Sequence, residues 1–320
     1  FGAGIIYGTW KGYSTESEVD TWDNTSYAAI VGMGGTVTGA SINWVAVQPT
    51  QGAAYNWTDV DRTVELASEN GLSMMAYMGN TPDWALDPAN KGLGYRFPPL
   101  PQYADDFSAF FKAATSRYCG KLHTEFWNEE NGCSWENPGC SNGNMAPSYA
   151  PWLCRFYEAV KEGCPQMLVS VGGLDANSGV PPSALAQYIE DLYSSNASQC
   201  FDRVALHPYG TLSTGQCLHY DAITAIENVL ASHNNSDRKL WINEYGWNSP
   251  DENAKAACIK ESLDYLTKNP NIEAATYLSL TDLPNVPDGK PGYGLCSQNS
   301  TAETITPRAS YTAFQTYPKQ

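Results

Sequence analysis

The chain has 320 residues, 42% of them hydrophobic, enough for one large buried core or two ordinary ones. Its 18 Lys and Arg against 34 Asp and Glu leave a formal charge of -16, which argues against a nucleic-acid partner, because a phosphate backbone requires clustered cations. No apolar run approaches the roughly 20 residues that span a bilayer and no basic-then-apolar leader is visible, so the sequence reads as soluble, processed and not membrane-bound.

In chain order, short apolar or β-branched runs alternate with helix-like stretches, the pattern of parallel strands joined by crossover helices. Residues 3–7 and 36–45 are the first two expected strands. Residues 57–70 follow as an amphipathic helix stopped by Gly71. A third strand at 72–78 leads into a Pro- and Gly-rich loop reaching residue 101, a helix at 103–118 and a fourth strand at 122–127. A helix near 149–162, strand five at 168–172, a helix at 184–193 and strand six at 204–207 continue the alternation. A helix at 221–232, strand seven at 240–243, a helix at 254–268, strand eight at 274–280 and a closing helix at 309–316 complete it. Eight strands in one domain over 1–320 fit a single (β/α)8 TIM barrel with loop insertions at its C-terminal face, where barrel enzymes keep their chemistry. A doubly wound sheet is the rival, but Gly2 and Gly4 do not open a helix with the GxGxxG spacing.

Compartment follows from two features. Five glycosylation sequons begin at Asn24, Asn56, Asn196, Asn234 and Asn299. Nine cysteines show no Cys-x-x-Cys, and no two of the four histidines stand at ligand spacing, so disulfides are expected and no metal or cofactor is. Cys133 and Cys140 would close a short loop, and the odd cysteine is expected as a buried thiol. Together these read as a secreted, extracellular glycoprotein of fungal type and a monomer. The use of 10 Trp and 20 Tyr against 9 Phe favours rings with a polar tip, which suit the mixed surfaces of sugars.

The chemistry is carried by two strand ends. Strand four runs into Phe126-Trp127-Asn128-Glu129-Glu130, and strand seven into Trp241-Ile242-Asn243-Glu244-Tyr245-Gly246-Trp247. In a barrel these ends face one another across the mouth, and a pair of carboxyl groups flanking a sugar bond is the requirement for glycoside hydrolysis. A lone strand-end glutamate is more often a cap or a surface charge; two, each beside tryptophan, point to catalysis by Glu129 and Glu244.

Trp127-Asn128-Glu129 and Glu244-Tyr245 resemble the acid/base and nucleophile motifs of clan A glycoside hydrolases. Trp44, Gln48-Pro49, Gly52, Tyr55-Asn56-Trp57 and Asp61, followed by Asn80-Thr81-Pro82-Asp83-Trp84-Ala85, extend the resemblance over residues 36–282, and the combination is most similar to glycoside hydrolase family 39 and its relatives. The resemblance implies Glu129 as acid/base, Glu244 as nucleophile, Asn128 as donor to the sugar 2-hydroxyl, and retention of configuration. His207 and Tyr209, in His207-Pro208-Tyr209 after strand six, stand where clan members place a His or Tyr near the nucleophile. The sequence departs from the pattern at strand two, where residues 39–43 hold no arginine to support the nucleophile, and at strand eight, where Tyr277-Leu278-Ser279-Leu280-Thr281-Asp282 lacks the frequent tryptophan.

Trp44, Trp84, Trp135 and Trp247 are the candidate sugar-stacking rings, with core packing as the alternative for each; Asn80 and Tyr245 are further polar candidates. Glu130 is expected as a solvated residue or an auxiliary contact. Glu125 is expected inside the barrel, where it needs a partner. The reading is a hydrolase that cuts a polysaccharide or oligosaccharide, endo-acting, with the loops at 87–101 and 133–149 setting substrate choice. A catalytically silent glycan binder, and an inverting, exo-acting or transglycosylating enzyme on the same scaffold, are the alternatives.

Overall fold

The computed structural model describes residues 1–4, 16–132, 134–136, 144–282, 292–298 and 304–318. Eight parallel strands close into a barrel: β1 (Gly2–Ala3), β2 (Val37–Asn43), β3 (Ser73–Gly79), β4 (His123–Asn128), β5 (Val169–Asp175), β6 (Arg203–His207), β7 (Leu240–Tyr245) and β8 (Ile272–Tyr277). They are joined in sequence order around the ring, and β1 closes it by pairing Gly2 with Val37 of β2, and Gly2 and Ala3 with Thr276 and Tyr277 of β8. Helices α1 (Glu16–Gly32), α2 (Thr58–Glu69), α3 (Ala104–Arg117), α4 (Ala146–Gly163), α5 (Pro182–Ser194), α6 (Tyr220–Ser232), α7 (Glu252–Lys268) and α8 (Ala309–Gln315) separate and follow the strands. The expected (β/α)8 barrel is therefore what forms.

Local chemistry explains the helix limits. Asp59 and Asp61 in the first turn of α2 complement its dipole, and Gly71 ends the segment at φ 70°, a left-handed conformation that glycine adopts without strain. Asp251 caps α7 by accepting from the Ala254 amide at 2.9 Å. Helix α4 begins a turn earlier than its prolines imply, because Pro147 sits in the first turn, where its missing N–H costs nothing, and Pro151 is turned to solvent.

Helix α1 was absent from the sequence expectation, yet its signal exists: Val19, Trp22, Asp23, Ser26, Tyr27 and Ile30 are buried at helical spacing. Its Asp, Asn and Thr residues mask the pattern, since such side chains favour turns and caps; here Asn24 and Thr25 bond carbonyls one turn back instead. Two short antiparallel pairs, Tyr209–Thr211 with Gln216–Leu218 and Cys296–Gln298 with Ile305–Pro307, were likewise unforeseen.

The main core lies between strands and helices, while Val37, Met75, Ala205 and Trp241 form a separate apolar cluster of strand residues beneath the polar mouth. Disulfides join Cys119 to Cys164, Cys154 to Cys200 and Cys217 to Cys258. Cys133 and Cys140 lie outside the described residues. Cys296 is the buried free thiol, and burial pushes its pKa up to about 12, which keeps it unreactive.

Candidate active site

Each catalytic candidate stands where a strand meets its loop. At the end of β4 the chain takes two left-handed residues, Trp127 at φ 71° and Glu129 at φ 52°, on either side of Asn128. Positive φ is a strained conformation for a bulky residue, of order 1–3 kcal/mol, and must be held by its surroundings. The Trp127 indole is buried and donates to the Ser134 carbonyl at 2.6 Å, the Tyr149 hydroxyl donates to the Phe126 carbonyl at 2.6 Å, and the Glu129 amide donates to the Gly173 carbonyl at 2.9 Å.

Strand β5 makes room for this turn with two glycines. A Cβ on Gly172 would stand 2.3 Å from Glu130 Oε2 and 2.6 Å from the Phe126 carbonyl oxygen, and one on Gly173 would stand 2.1 Å from His207 Nε2. Glu130, expected as a solvated residue or an auxiliary contact, is fully buried, and neither carboxyl oxygen has a hydrogen-bond partner among the described residues. The left-handed turn at Glu129 carries the next side chain inward, where burial pushes the Glu130 carboxyl up to about 8.

Across the mouth, Glu244 Oε2 accepts from the Tyr209 hydroxyl at 2.7 Å and lies 3.5 Å from His207 Nδ1, which is also 2.9 Å from Glu129 Oε1. Burial draws the His207 imidazole down, but the charge of Glu244 and the hydrogen bond to Glu129 outweigh it and leave the ring at about 9. His207 is thus a buried cation between the two carboxyl groups, and with Tyr209 it supports Glu244 where β2 has no arginine. Polar atoms of Glu129, His207 and Glu244 all lie within 4.8 Å of one another. They are the one group of His, Cys, Asp and Glu among the described residues compact enough to share a metal ion.

Below this level Glu125 points into the barrel as expected, and its partner is Asn243, whose Nδ2 lies 2.9 and 2.7 Å from its two oxygens. Burial pushes Glu125 up to about 8. A cavity of about 360 Å³ opens here, lined among others by Asn43, Tyr77, Asn80, Tyr95, Glu125, Asn128, Asn243 and Glu244. Asn80, at φ 60°, accepts from the Tyr77 hydroxyl at 2.5 Å and donates to Asn43 at 2.7 Å, fixing one wall. A second depression of about 370 Å³ holds Tyr209, Trp247, Asn248 and Tyr293.

The aromatic candidates divide differently. Trp44 is buried against Trp84, Phe107 and Phe110, with its N–H on Gln48; Trp135 is buried against Trp127, with its N–H on Ser148. Trp247 is buried against Tyr245 and Tyr277 with its N–H on the Cys217 carbonyl, though it borders the second depression, and Tyr245 is wholly buried. Trp84 is half-buried, donates to the Gln48 carbonyl and is not among the residues lining the main cavity. Rings covered this fully have no face left for a sugar, so the stacking role expected of Trp44 and Trp135 is corrected to packing, Tyr245, expected as a polar contact, is corrected to a core residue, and Trp247 keeps only an edge at the depression. The exposed ring at the main cavity is one the sequence reading missed: Tyr95, 47% exposed in the loop after β3. Its one signal was an aromatic residue inside a Gly- and Pro-rich loop on the active face.

No protein-family profile matches the chain, and no curated protein does. Solved structures do resemble it. A family 39 glycoside hydrolase from the gut symbiont Bacteroides cellulosilyticus WH2 aligns with 98% of this chain at TM-score 0.72 and 18% identity, and the chain spans 62% of that protein's length. A family 39 β-xylosidase from Caulobacter crescentus aligns at TM-score 0.69 and 17% identity over 98% of this chain and 69% of its own. Xylanase 10B from Thermotoga petrophila RKU-1, solved with xylobiose, aligns at TM-score 0.63 and 16% identity over 98% and 92%. The fold of this chain is the (β/α)8 barrel that these glycoside hydrolases share, with family 39 among its structural relatives.

Proposed function

We propose that the protein is a retaining O-glycoside hydrolase in which Glu244 is the nucleophile and Glu129 the acid/base. The observation that carries this is the convergence of Glu129 and Glu244 on His207 at the barrel mouth, with polar atoms within 4.8 Å. Separations near 5 Å leave no room for a water between carboxyl and sugar, whereas inversion needs about 6.5–9.5 Å. Glu244 attacks the anomeric carbon while Glu129 gives its proton to the departing oxygen; Glu129 then takes a proton from the water that releases the sugar. Tyr209 and His207 hold the attacking oxygen, and Asn128 offers its amide to the sugar above the cavity.

Endo action on a polysaccharide or oligosaccharide is supported by the two depressions, one holding Glu244 and the other holding the Tyr209 that touches it, so that a chain can continue on both sides. Secretion as a glycoprotein is supported by the three disulfides and by exposed asparagines at four sequons, Asn24, Asn56, Asn196 and Asn234.

The test is a panel of polysaccharides and aryl glycosides, with products read by mass spectrometry and the anomer by NMR. Glu244→Gln is expected to lose about 10⁴-fold or more, and Glu129→Gln about 10²–10⁴-fold, least on substrates with good leaving groups. Full turnover in Glu244→Gln, or an inverted first product, would remove the assignment.

A further inference from the structure

The sheet has a gap directly behind the acid/base candidate. Strands β4 and β5 pair Phe126 with Val171 and Asn128 with Gly173, but not Trp127 with Gly172 between them. At the skipped pair the Gly172 amide donates to the Tyr149 hydroxyl at 3.2 Å instead, and that hydroxyl gives its one proton to the Phe126 carbonyl. The Glu130 carboxyl enters the same gap. A Cβ on Gly172 would stand 2.3 Å from Glu130 Oε2, 2.6 Å from the Phe126 oxygen and 2.8 Å from the Trp127 oxygen, so three oxygens crowd one point above a residue without a side chain. The carboxyl is fully buried, and no other described residue donates to either of its oxygens.

An ionised carboxyl group can only accept, and its neighbours here are acceptors. As an anion Glu130 would face two carbonyl oxygens in a dry contact; as a neutral acid it brings a donor to that cluster. Only the protonated form satisfies the site.

Resting on the hydrolase reading, we propose that Glu130 is a positioning residue for the acid/base: as a neutral acid it donates its proton within the ladder gap and so clamps the left-handed turn that carries Glu129. Glu130 follows Glu129 directly, so a bond from its carboxyl to the end of β4 closes the turn on itself and holds the Glu129 side chain at the mouth. The clamp works beside the bonds from the Trp127 indole to Ser134 and from the Glu129 amide to Gly173.

The ionisable groups around Glu130 agree. Burial leads its upward shift to about 8; its own amide and His207 on β6 oppose it, while Glu125 and Glu129 add to it. Burial also pushes up Tyr77 on β3, Tyr149 on α4 and Tyr188 on α5, and the charge of Glu130 adds to each. The clamp is therefore closed at acid and neutral pH and opens above about 8, where the three phenols still hold their protons.

Two variants test it: Glu130→Gln keeps a neutral donor at every pH, and Glu130→Met fills the same space without one. Hydrogen exchange on peptides covering residues 126–131, read by mass spectrometry and corrected for the intrinsic rate, needs no turnover. Relative to peptides from β3, protection of this turn in the wild type should fall about tenfold or more between about pH 6 and pH 9; in Glu130→Gln it should hold within about twofold, and in Glu130→Met it should be low at both. At about pH 6, glycosides with poor leaving groups, which need the proton of Glu129, should turn over about tenfold more slowly in Glu130→Met, while dinitrophenyl glycosides of the same sugar stay within about threefold. Glu130→Gln should restore both rates. A wild-type turn whose protection ignores pH, or a loss in Glu130→Met that is uniform across leaving groups, overturns the proposal. Because exchange is read without substrate, the clamp stands or falls apart from the hydrolase reading, whose failure would show as wild-type protein that cleaves none of the panel.

Discussion

Strands β4 and β7 both end in Asn-Glu, and the two copies are built in different ways. A regular strand sends consecutive side chains to opposite faces, so neither strand can bring an asparagine and the next glutamate to one mouth without breaking its period. Strand β4 breaks it with two left-handed residues around Asn128, and β7 with a register shift against β8 between Ala275 and Tyr277. The outcomes differ too: Asn128 and Asn243 both border the cavity, but Asn243 spends its amide on Glu125 below it. One dipeptide thus serves as a contact at the rim in one strand and as a support beneath it in the other. Backbone geometry decides which.

The largest way to separate the two ends is pH. Glu125 and Glu130 hold their protons in the fold to about pH 8, against 4.5 for a free glutamate, and His207 holds its proton to about 9 against 6.5. The folded state binds more protons than the unfolded chain across this range. Its stability is therefore greatest at acid pH and is lost as pH rises through 8 and 9. At about 1.4 kcal/mol per pH unit, each carboxyl accounts for roughly 3–5 kcal/mol by pH 9. Chemical denaturation at pH 5 and pH 9 should show this fall, and Glu130→Gln should remove a large part of it; a flat profile in the wild type would mean that these carboxyls are solvated. Activity should decline on the alkaline side near pH 9 as His207 loses its charge.

Next in size is the support of Glu244. Tyr209→Phe removes one hydrogen bond to a carboxylate, worth about 1.5–3 kcal/mol, so kcat should fall roughly 10- to 150-fold with little change in KM. A pure KM effect would make Tyr209 a binding residue instead. Gly172→Ala drives a methyl group into the β4 turn, where two backbone carbonyls cannot yield, and should cost about 1–3 kcal/mol in thermal unfolding. The smallest effect is expected from Tyr95→Ala, which should raise KM about 3- to 10-fold at constant kcat if the exposed ring stacks on substrate.

Much of this was legible in the residues. Seven of the barrel strands are short apolar runs that can be read directly, and a glutamate after two of them marks the mouth before any coordinates are seen. Tyr209 and His207 stand in one tripeptide after the sixth strand. The tryptophans were not legible, because whether a ring meets a sugar or a neighbour depends on helices packed from elsewhere: Trp44 lies under Phe107 and Phe110, some 60 positions away in sequence. The burial of Glu130 was not legible for a smaller reason, the left-handed residues Trp127 and Glu129 that turn the next side chain inward. Helix α1 was lost to its polar composition although its buried positions keep the helical period.

The disulfides also divide the ring. Among the described residues all three fall between residues 119 and 258, each tying a segment to the next β/α unit, and none reaches β1, β2 or β3. The stretch from β4 to α7 is cross-linked like a hoop of riveted staves, while the described disulfides leave β1 to β3 to hydrogen bonds and packing. Denaturation under non-reducing conditions should therefore leave the stave carrying Glu129 tied to its neighbours after the strands without cross-links have parted.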